Sequence, residues 1–153
     1  MEYEQLKLSN QLCFPIYAAS RLIIREYQPH LDRLGITYTQ YLVLMVLWEC
    51  DGVAVSEITQ KLILNTNTVT PLLKRMESMG LIKRERTDTD ERKVMVSLSE
   101  KGRALREQAS SIPLELGQNL SKGDLSTEQL LELKESLNGI IHFLQSKKLS
   151  NST

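Results

Sequence analysis

The stretch that most restricts the fold runs from Leu64 to Leu98. Between Leu64 and Gly80 the apolar residues Val69, Leu72, Leu73 and Met76 recur at i, i+3, i+4 and i+7, one face of an α-helix. The opposite face carries Asn67, Thr70, Lys74 and Ser78, with Arg75 beside it. Asn65 or Thr66 can cap the start, Pro71 stands close enough to that start to cost less than it would mid-helix, and Gly80 is placed to end the helix. After Gly80 the period changes: residues 81–86 and 93–98 read as strands, the second alternating through Val94, Val96 and Leu98, with the polar tip 87–92 between them. The expectation is a recognition helix followed by a β-wing.

Charge supports that expectation. From Lys61 to Lys93 eight basic residues stand against five acidic ones, a net of +3 in a chain whose 19 basic and 19 acidic residues cancel overall. Positive charge therefore collects where a small polar helix face and a hairpin tip could meet a phosphate backbone. A solvated helix and an ordinary hairpin fit the same pattern, and charge alone does not separate the two.

The residues Asn65-Thr-Asn-Thr-Val-Thr-Pro-Leu-Leu-Lys-Arg-Met-Glu77 and the wing-tip run Asp90-Glu-Arg92 resemble the winged helix-turn-helix of the MarR family of bacterial transcription regulators. The resemblance spans about residues 8–145, and the N-terminal half is most similar to the OhrR-type organic-hydroperoxide-sensing repressors. It implies a mainly α fold with a small β-wing. Residues 1–153 form a single domain in this reading, with dimerisation helices at about 5–33 and 99–147 and the DNA-binding region at about 53–98. It also implies a homodimer on a pseudo-palindromic operator in double-stranded DNA, with recognition helices in successive major grooves and wings in the flanking minor grooves. Asn67, Thr70 and Lys74 are the expected base readers, and Thr66, Thr68 and Arg75 the expected phosphate contacts, with Arg84 and Arg86 on the wing. Arg92 is expected in a minor groove, with Asp90 positioning it.

At 153 residues and 41% apolar, the chain suffices for one globular domain with a real core. Nothing approaches an 18-residue apolar run, and Met1-Glu-Tyr-Glu lacks the basic start of a signal peptide, so a cytoplasmic protein is expected. Two cysteines, Cys13 and Cys50, no Cys-x-x-Cys and only two histidines make a disulfide framework or zinc site unexpected, and no cofactor is implied.

Upstream of the reading head, Leu12, Ile16, Ala19, Ile23 and Tyr27 step by three or four, which predicts a long helix over residues 5–31 that begins or bends at Pro15. Cys13 then sits beside a break in backbone pairing. A turn at 34–37 leads into a second helix, capped by Thr37 with Gln40 as its capping-box partner, whose residues 41–48 pack inward. Residues 53–55 can add a strand to the wing sheet, and 56–62 form the supporting helix. After the wing, a helix is expected from Ser99 to about Leu116, a loop at 117–123, and a last helix opened by the Ser126/Gln129 capping box. That helix carries Leu130, Leu133, Leu137, Ile140, Ile141 and Leu144, a stripe that needs a surface to cover it. The resemblance supplies a second subunit; packing within the chain is the alternative. Residues 149–153 read as a frayed tail.

A lone cysteine on an apolar helix is commonly an inert small hydrophobe. In the OhrR-type repressors one cysteine is hydrogen-bonded by two tyrosines, and the resemblance carries these roles onto Cys13, Tyr27 and Tyr38, with an organic hydroperoxide as signal. Cys13 and Tyr27 are about 21 Å apart along an unbroken helix, so they can meet only across a dimer of antiparallel N-terminal helices. Cys50, between Glu49 and Asp51, reads as structural. Residues 94–153 contain no cysteine to resolve an oxidised Cys13, so a one-cysteine mechanism is expected and a thiol peroxidase is not. The alternative within the family is release by a small phenolic or amphipathic ligand in the dimer cleft, with Cys13 a bystander.

Overall fold

The computed structural model describes residues 3–87 and 90–150, except the side chains of Thr87, of residues 90–92 and of residues 148–150. The chain divides into two compact units, Met1–Ile112 and Pro113–Thr153.

The first unit opens with two short 3-10 turns, Glu4–Leu6 and Leu8–Asn10, and the long helix begins near Pro15, one of the two courses expected for it, rather than at residue 5. The α-helix α1 is Cys13–Leu34. Pro15 is its third residue, where the missing N–H is one of the helix start's unpaired donors anyway, so the proline fixes where the helix begins. Gly35 ends α1 at φ 67, with its N–H on the Asp32 carbonyl. Helix α2, Tyr38–Glu49, starts with the expected box: the Thr37 N–H donates to Gln40 Oε1 at 2.9 Å, and the Gln40 N–H donates to Thr37 Oγ1 at 3.4 Å.

Strand β1, Val53–Ala54, precedes α3, Val55–Leu62. Helix α4, Thr66–Ser78, buries Val69, Leu73 and Met76, three of the four residues of the predicted face, while Leu72 is half-buried. The helix starts after Asn65, one of the two expected caps, and Pro71, in its second turn, leaves the Asn67 carbonyl without its helical donor. The α4 end closes as the N–H of Gly80, at φ 71, reaches Glu77 and that of Leu81 reaches Met76. Strands β2, Ile82–Thr87, and β3, Asp90–Leu98, pair antiparallel with β1 on the far side of β3, in the order β1-β3-β2. Register runs from Ile82 opposite Leu98 to Arg86 opposite Val94, then slips by a bulge so that Thr87 faces Asp90. The expected wing tip at 87–92 is thus shorter, because the β3 backbone already includes residues 90–92.

Helix α5, Glu100–Ala109, is capped by Ser99, whose Oγ accepts from the Gly102 N–H at 3.0 Å. The helix expected to continue to Leu116 stops short. A turn intervenes and α6, Ile112–Leu120, starts afresh, because Pro113 cannot donate the bond that would carry α5 onward. Gly117 lies inside α6 rather than in a loop.

In the second unit α7, Thr127–Ser150, begins with the predicted capping box. The Ser126 N–H donates to Gln129 Oε1 at 2.8 Å, and the Gln129 N–H donates to Ser126 Oγ at 3.3 Å. Leu133, Ile140, Ile141 and Leu144 of the predicted stripe are between 42% and 54% exposed. Among the described residues no helix is long and apolar enough to cross a membrane, and no cluster of three or more His, Cys, Asp or Glu could hold a metal.

Candidate nucleic-acid interface and redox site

The reading face is formed as the helical period requires. Thr66, Asn67, Thr68, Lys74 and Arg75 are exposed on α4, opposite buried Val69, Leu73 and Met76. Thr70 is half-buried. It lines, with Thr59 of α3, Thr66, Leu73, Arg84 and Lys93, a cleft of about 300 Å³ between the helix pair and the wing. Arg86 is exposed on β2.

Arg84 is engaged within the chain. Its Nε and Nη2 donate to Glu77 Oε2 at 3.0 and 2.7 Å, while its backbone N–H donates to Glu77 Oε1 at 3.0 Å. The guanidinium bonds hold the Glu77 carboxyl below its ordinary range, against the opposing effect of burial. This fork ties the last turn of the reading helix to the first wing strand, so Arg84 sets the angle between them. The side chains of Asp90 and Arg92 lie outside the described residues.

Three further contacts hold the far end of α4. Lys101 Nζ donates to the Met79 carbonyl at 2.9 Å, and Ser99 Oγ donates to the Gly80 carbonyl at 2.6 Å. Gln40, 2% exposed, donates from Nε2 to the Met79 thioether at 3.3 Å. Trp48 Nε1 meets the Gly102 carbonyl at 2.9 Å, and Asp51 accepts from the Leu98 and Gly52 N–H groups and from Arg103. Burial alone would raise the Asp51 carboxyl; those bonds outweigh it and hold it low. Neither these residues nor Glu77 drew notice in the sequence as site residues. Only Gln40 had a local signal, its capping box, and that spoke for the helix start alone.

Cys13 is exposed as the first residue of α1, which runs unbroken past Tyr27. The two are therefore about 21 Å apart within one chain. Tyr27 packs edge-on against Tyr38, ring centroids 5.0 Å apart, and Tyr41 lies 5.8 Å from Tyr27 and 6.5 Å from Tyr38. Trp48 closes the stack 6.0 Å from Tyr41. Burial raises all three phenols, Tyr41 to about 12, so each keeps its proton at neutral pH. Neither the Tyr27 nor the Tyr38 hydroxyl is hydrogen-bonded to another described residue. Two phenolic donors thus share a half-buried cluster, and one of them, Tyr38, lies in the same first turn of α2 as Gln40. Cys50, the residue after α2, is also exposed.

A supporting helix, an exposed reading helix and a three-stranded wing define a winged helix-turn-helix DNA-binding protein. Residues 25–108 match the family described as transcriptional regulator SarA/Rot. The organic hydroperoxide resistance transcriptional regulator of Bacillus subtilis is 44% identical over 146 residues, 95% of this chain and 97% of that one. Reduced AbfR bound to DNA, from a protein of Staphylococcus epidermidis, superimposes with a TM-score of 0.72 at 39% identity over 92% of this chain and 99% of that one; the over-oxidised form, also bound to DNA, gives 0.67 at 38%, over 91% and 98%. A cysteine-to-serine mutant of MarR from E. coli in complex with operator DNA gives 0.77 at 25% identity, over 84% and 92%. The chain belongs to the MarR family of transcriptional regulators, among relatives that include organic-hydroperoxide regulators. Regulators of this family act as dimers.

Proposed function

We propose that the protein is a homodimeric repressor that holds a pseudo-palindromic operator while Cys13 is reduced and leaves it once an organic hydroperoxide has oxidised that sulfur. The observation that carries the reading is the unbroken α1: it places an exposed thiol at one end and Tyr27 about 21 Å away, stacked on Tyr38, with neither phenol hydrogen-bonded among the described residues. A second, antiparallel copy would close that separation. Large apolar side chains left exposed at the start of α1 and along it (Leu12 at 73%, Leu22 at 57%) and on α7 suit burial between copies.

In the dimer, Tyr27 and Tyr38 of one copy donate hydrogen bonds to Cys13 of the other and hold its thiolate as nucleophile. The sulfur attacks the distal peroxide oxygen. The O–O bond breaks as the S–O bond forms, sulfur loses two electrons to the peroxide, and the departing alkoxide takes a proton and leaves as an alcohol. The product is a sulfenic acid. With no cysteine in residues 94–153, the sulfenate condenses with a small cellular thiol, giving a mixed disulfide and water. Over-oxidised AbfR is a DNA-bound form, which favours that bulkier condensed product over a sulfinate as the releasing species here.

On the DNA side, Asn67, Thr70 and Lys74 read base edges, Thr66, Thr68, Arg75 and Arg86 engage phosphates, and Arg92, placed by Asp90, enters the minor groove. Arg84 contributes by aiming the wing.

Operator titration with and without an organic hydroperoxide and a small thiol tests this. Cys13→Ser should bind like wild type and stay bound under oxidant, while Cys50→Ser should release like wild type. A Cys13→Ser protein that still leaves its operator on hydroperoxide would overturn the redox mechanism in favour of release by a small ligand.

A further inference from the structure

We infer that the Gln40–Met79 contact is the link through which the tyrosine cluster sets the position of the reading helix, making Gln40 a positioning residue for operator release; this rests on the redox reading above. Gln40 occupies the first turn of α2, between Tyr38 and Tyr41, whose rings stack with Tyr27. Its side chain is buried, and each end of the amide has one task. Oε1 accepts from the Thr37 N–H and fixes the start of α2, while Nε2 reaches the thioether of Met79, 39 residues further on. Met79 is the residue that terminates α4, and its carbonyl is held from the other side by Lys101. The end of the reading helix is therefore gripped between the helix that carries a sensing phenol and the helix that follows the wing.

The chemistry of the contact suits a moving joint. A thioether is a weak, polarizable acceptor on an unbranched side chain, so it tolerates sliding that a carbonyl partner in a regular ladder would resist. The amide is nonetheless buried, and a buried donor that loses its partner is costly, so the bond keeps α4 following α2. When a bulky group on Cys13 displaces Tyr38 in the facing subunit, the first turn of α2 moves with it. Gln40 then draws the C-terminal end of α4, tilting the residues that read the groove. The energy comes from the repacked tyrosines; the contact gives it direction.

Met79→Leu tests this without touching the sensing site or the capping box, since it keeps the volume and removes only the acceptor. Three quantities are read on full-length protein: operator affinity when reduced, the rate at which Cys13 forms a sulfenate trapped by a dimedone-type probe, and the fraction released once Cys13 is fully oxidised. The expected result is near-wild-type affinity and trapping rate with release reduced at least tenfold. Met79→Gln, which restores a side-chain acceptor of similar length, should recover release. Release of oxidised Met79→Leu at the wild-type level overturns the inference, as does a lowered trapping rate, which would place Met79 in sensing rather than transmission. If wild-type Cys13 itself forms no sulfenate, the redox reading fails first and the inference falls with it, a result the trapping assay distinguishes from the other two.

Discussion

Replacing Gly102 with alanine should destabilise the protein, although a glycine inside a helix is ordinarily improved by that change. Gly102 lies in the first turn of α5, where an added Cβ would stand 2.1 Å from the Leu81 carbonyl oxygen and 3.2 Å from both the Leu81 carbonyl carbon and Leu98 Cδ2. The obstacle is backbone, so the first turn of α5 must retreat by about 1 Å to restore ordinary contact. That retreat pulls on three bonds: Trp48 to the Gly102 carbonyl, Ser99 Oγ to the Gly80 carbonyl, and the Ser99 N–H to the Leu81 carbonyl. Losing two of them costs about 2 kcal/mol at roughly 1 kcal/mol each. Overpacking adds about 1–3 kcal/mol, and the gain in helix propensity offsets at most about 1 kcal/mol. The net loss is therefore about 2–4 kcal/mol, a large fraction of the roughly 5–15 kcal/mol that holds a domain together. Urea denaturation followed by circular dichroism, at one fixed protein concentration so that dimerisation contributes equally, measures it. A variant as stable as wild type, or more so, would refute the close approach of α5 to Leu81.

Further consequences follow from other parts of the molecule. Asn67→Ala and Thr70→Ala should narrow the preference for the operator over random DNA, whereas Arg75→Ala should weaken both alike and lower the salt slope by about one phosphate equivalent; equal losses on both DNAs for the first pair would remove them from the base-reading set. Glu77 and Asp51 both have lowered pKa values in the folded chain, so their stabilisation is complete above the unfolded values and is lost as pH falls through the folded ones. Stability should decline as pH drops from about 5 toward 3, and Arg84→Ala should shrink Glu77's share of that decline, leaving only the backbone N–H of residue 84 on its carboxylate, measured as the urea midpoint against pH. Ile63, a β-branched residue at φ 55 and 53% exposed between α3 and α4, sits in the left-handed region that favours glycine. Ile63→Gly should raise stability by about 0.5–1 kcal/mol after glycine's own entropy cost; a lower melting temperature would show that the turn is not strained.

Much of this architecture is local and could be read from spacing. The capping boxes at Thr37/Gln40 and Ser126/Gln129 need only four consecutive residues, and the buried face of α4 needs only a 3.6-residue period, so each appears where it was expected. The switch from helix to strand after Gly80 is local too. What escaped depends on approach between distant segments. Arg84 looks like a free DNA-facing cation in sequence because its partner Glu77 lies across the Gly80 turn, and only the folded hairpin brings the two together. The Gln40–Met79 bond joins residues with no pattern between them. The N-terminal helix begins near Pro15, as that proline led one to expect, whereas the expected run from Ser99 to Leu116 gave way at Pro113, whose effect on the backbone outweighs apolar periodicity. The proposed redox site is the extreme case. In the proposed reading one chain contains all the chemistry of the site at Cys13, Tyr27 and Tyr38, yet the unbroken length of α1 keeps Cys13 about 21 Å from Tyr27 within that chain.

That separation is the claim on which the functional account most depends, and the oxidation rate of Cys13 in two defined heterodimers tests it directly. In the first, a Cys13→Ser protomer is paired with one carrying Tyr27→Phe and Tyr38→Phe, so the surviving sulfur lies on the phenylalanine-bearing chain and faces intact tyrosines across the interface. In the second, wild type is paired with a protomer carrying all three substitutions, so the surviving sulfur has tyrosines only on its own chain. Sulfenate trapping under a limiting organic hydroperoxide should proceed at the wild-type rate per site in the first heterodimer and at least tenfold more slowly in the second. The reverse order would place the sulfur and its phenols in the same chain and contradict the account.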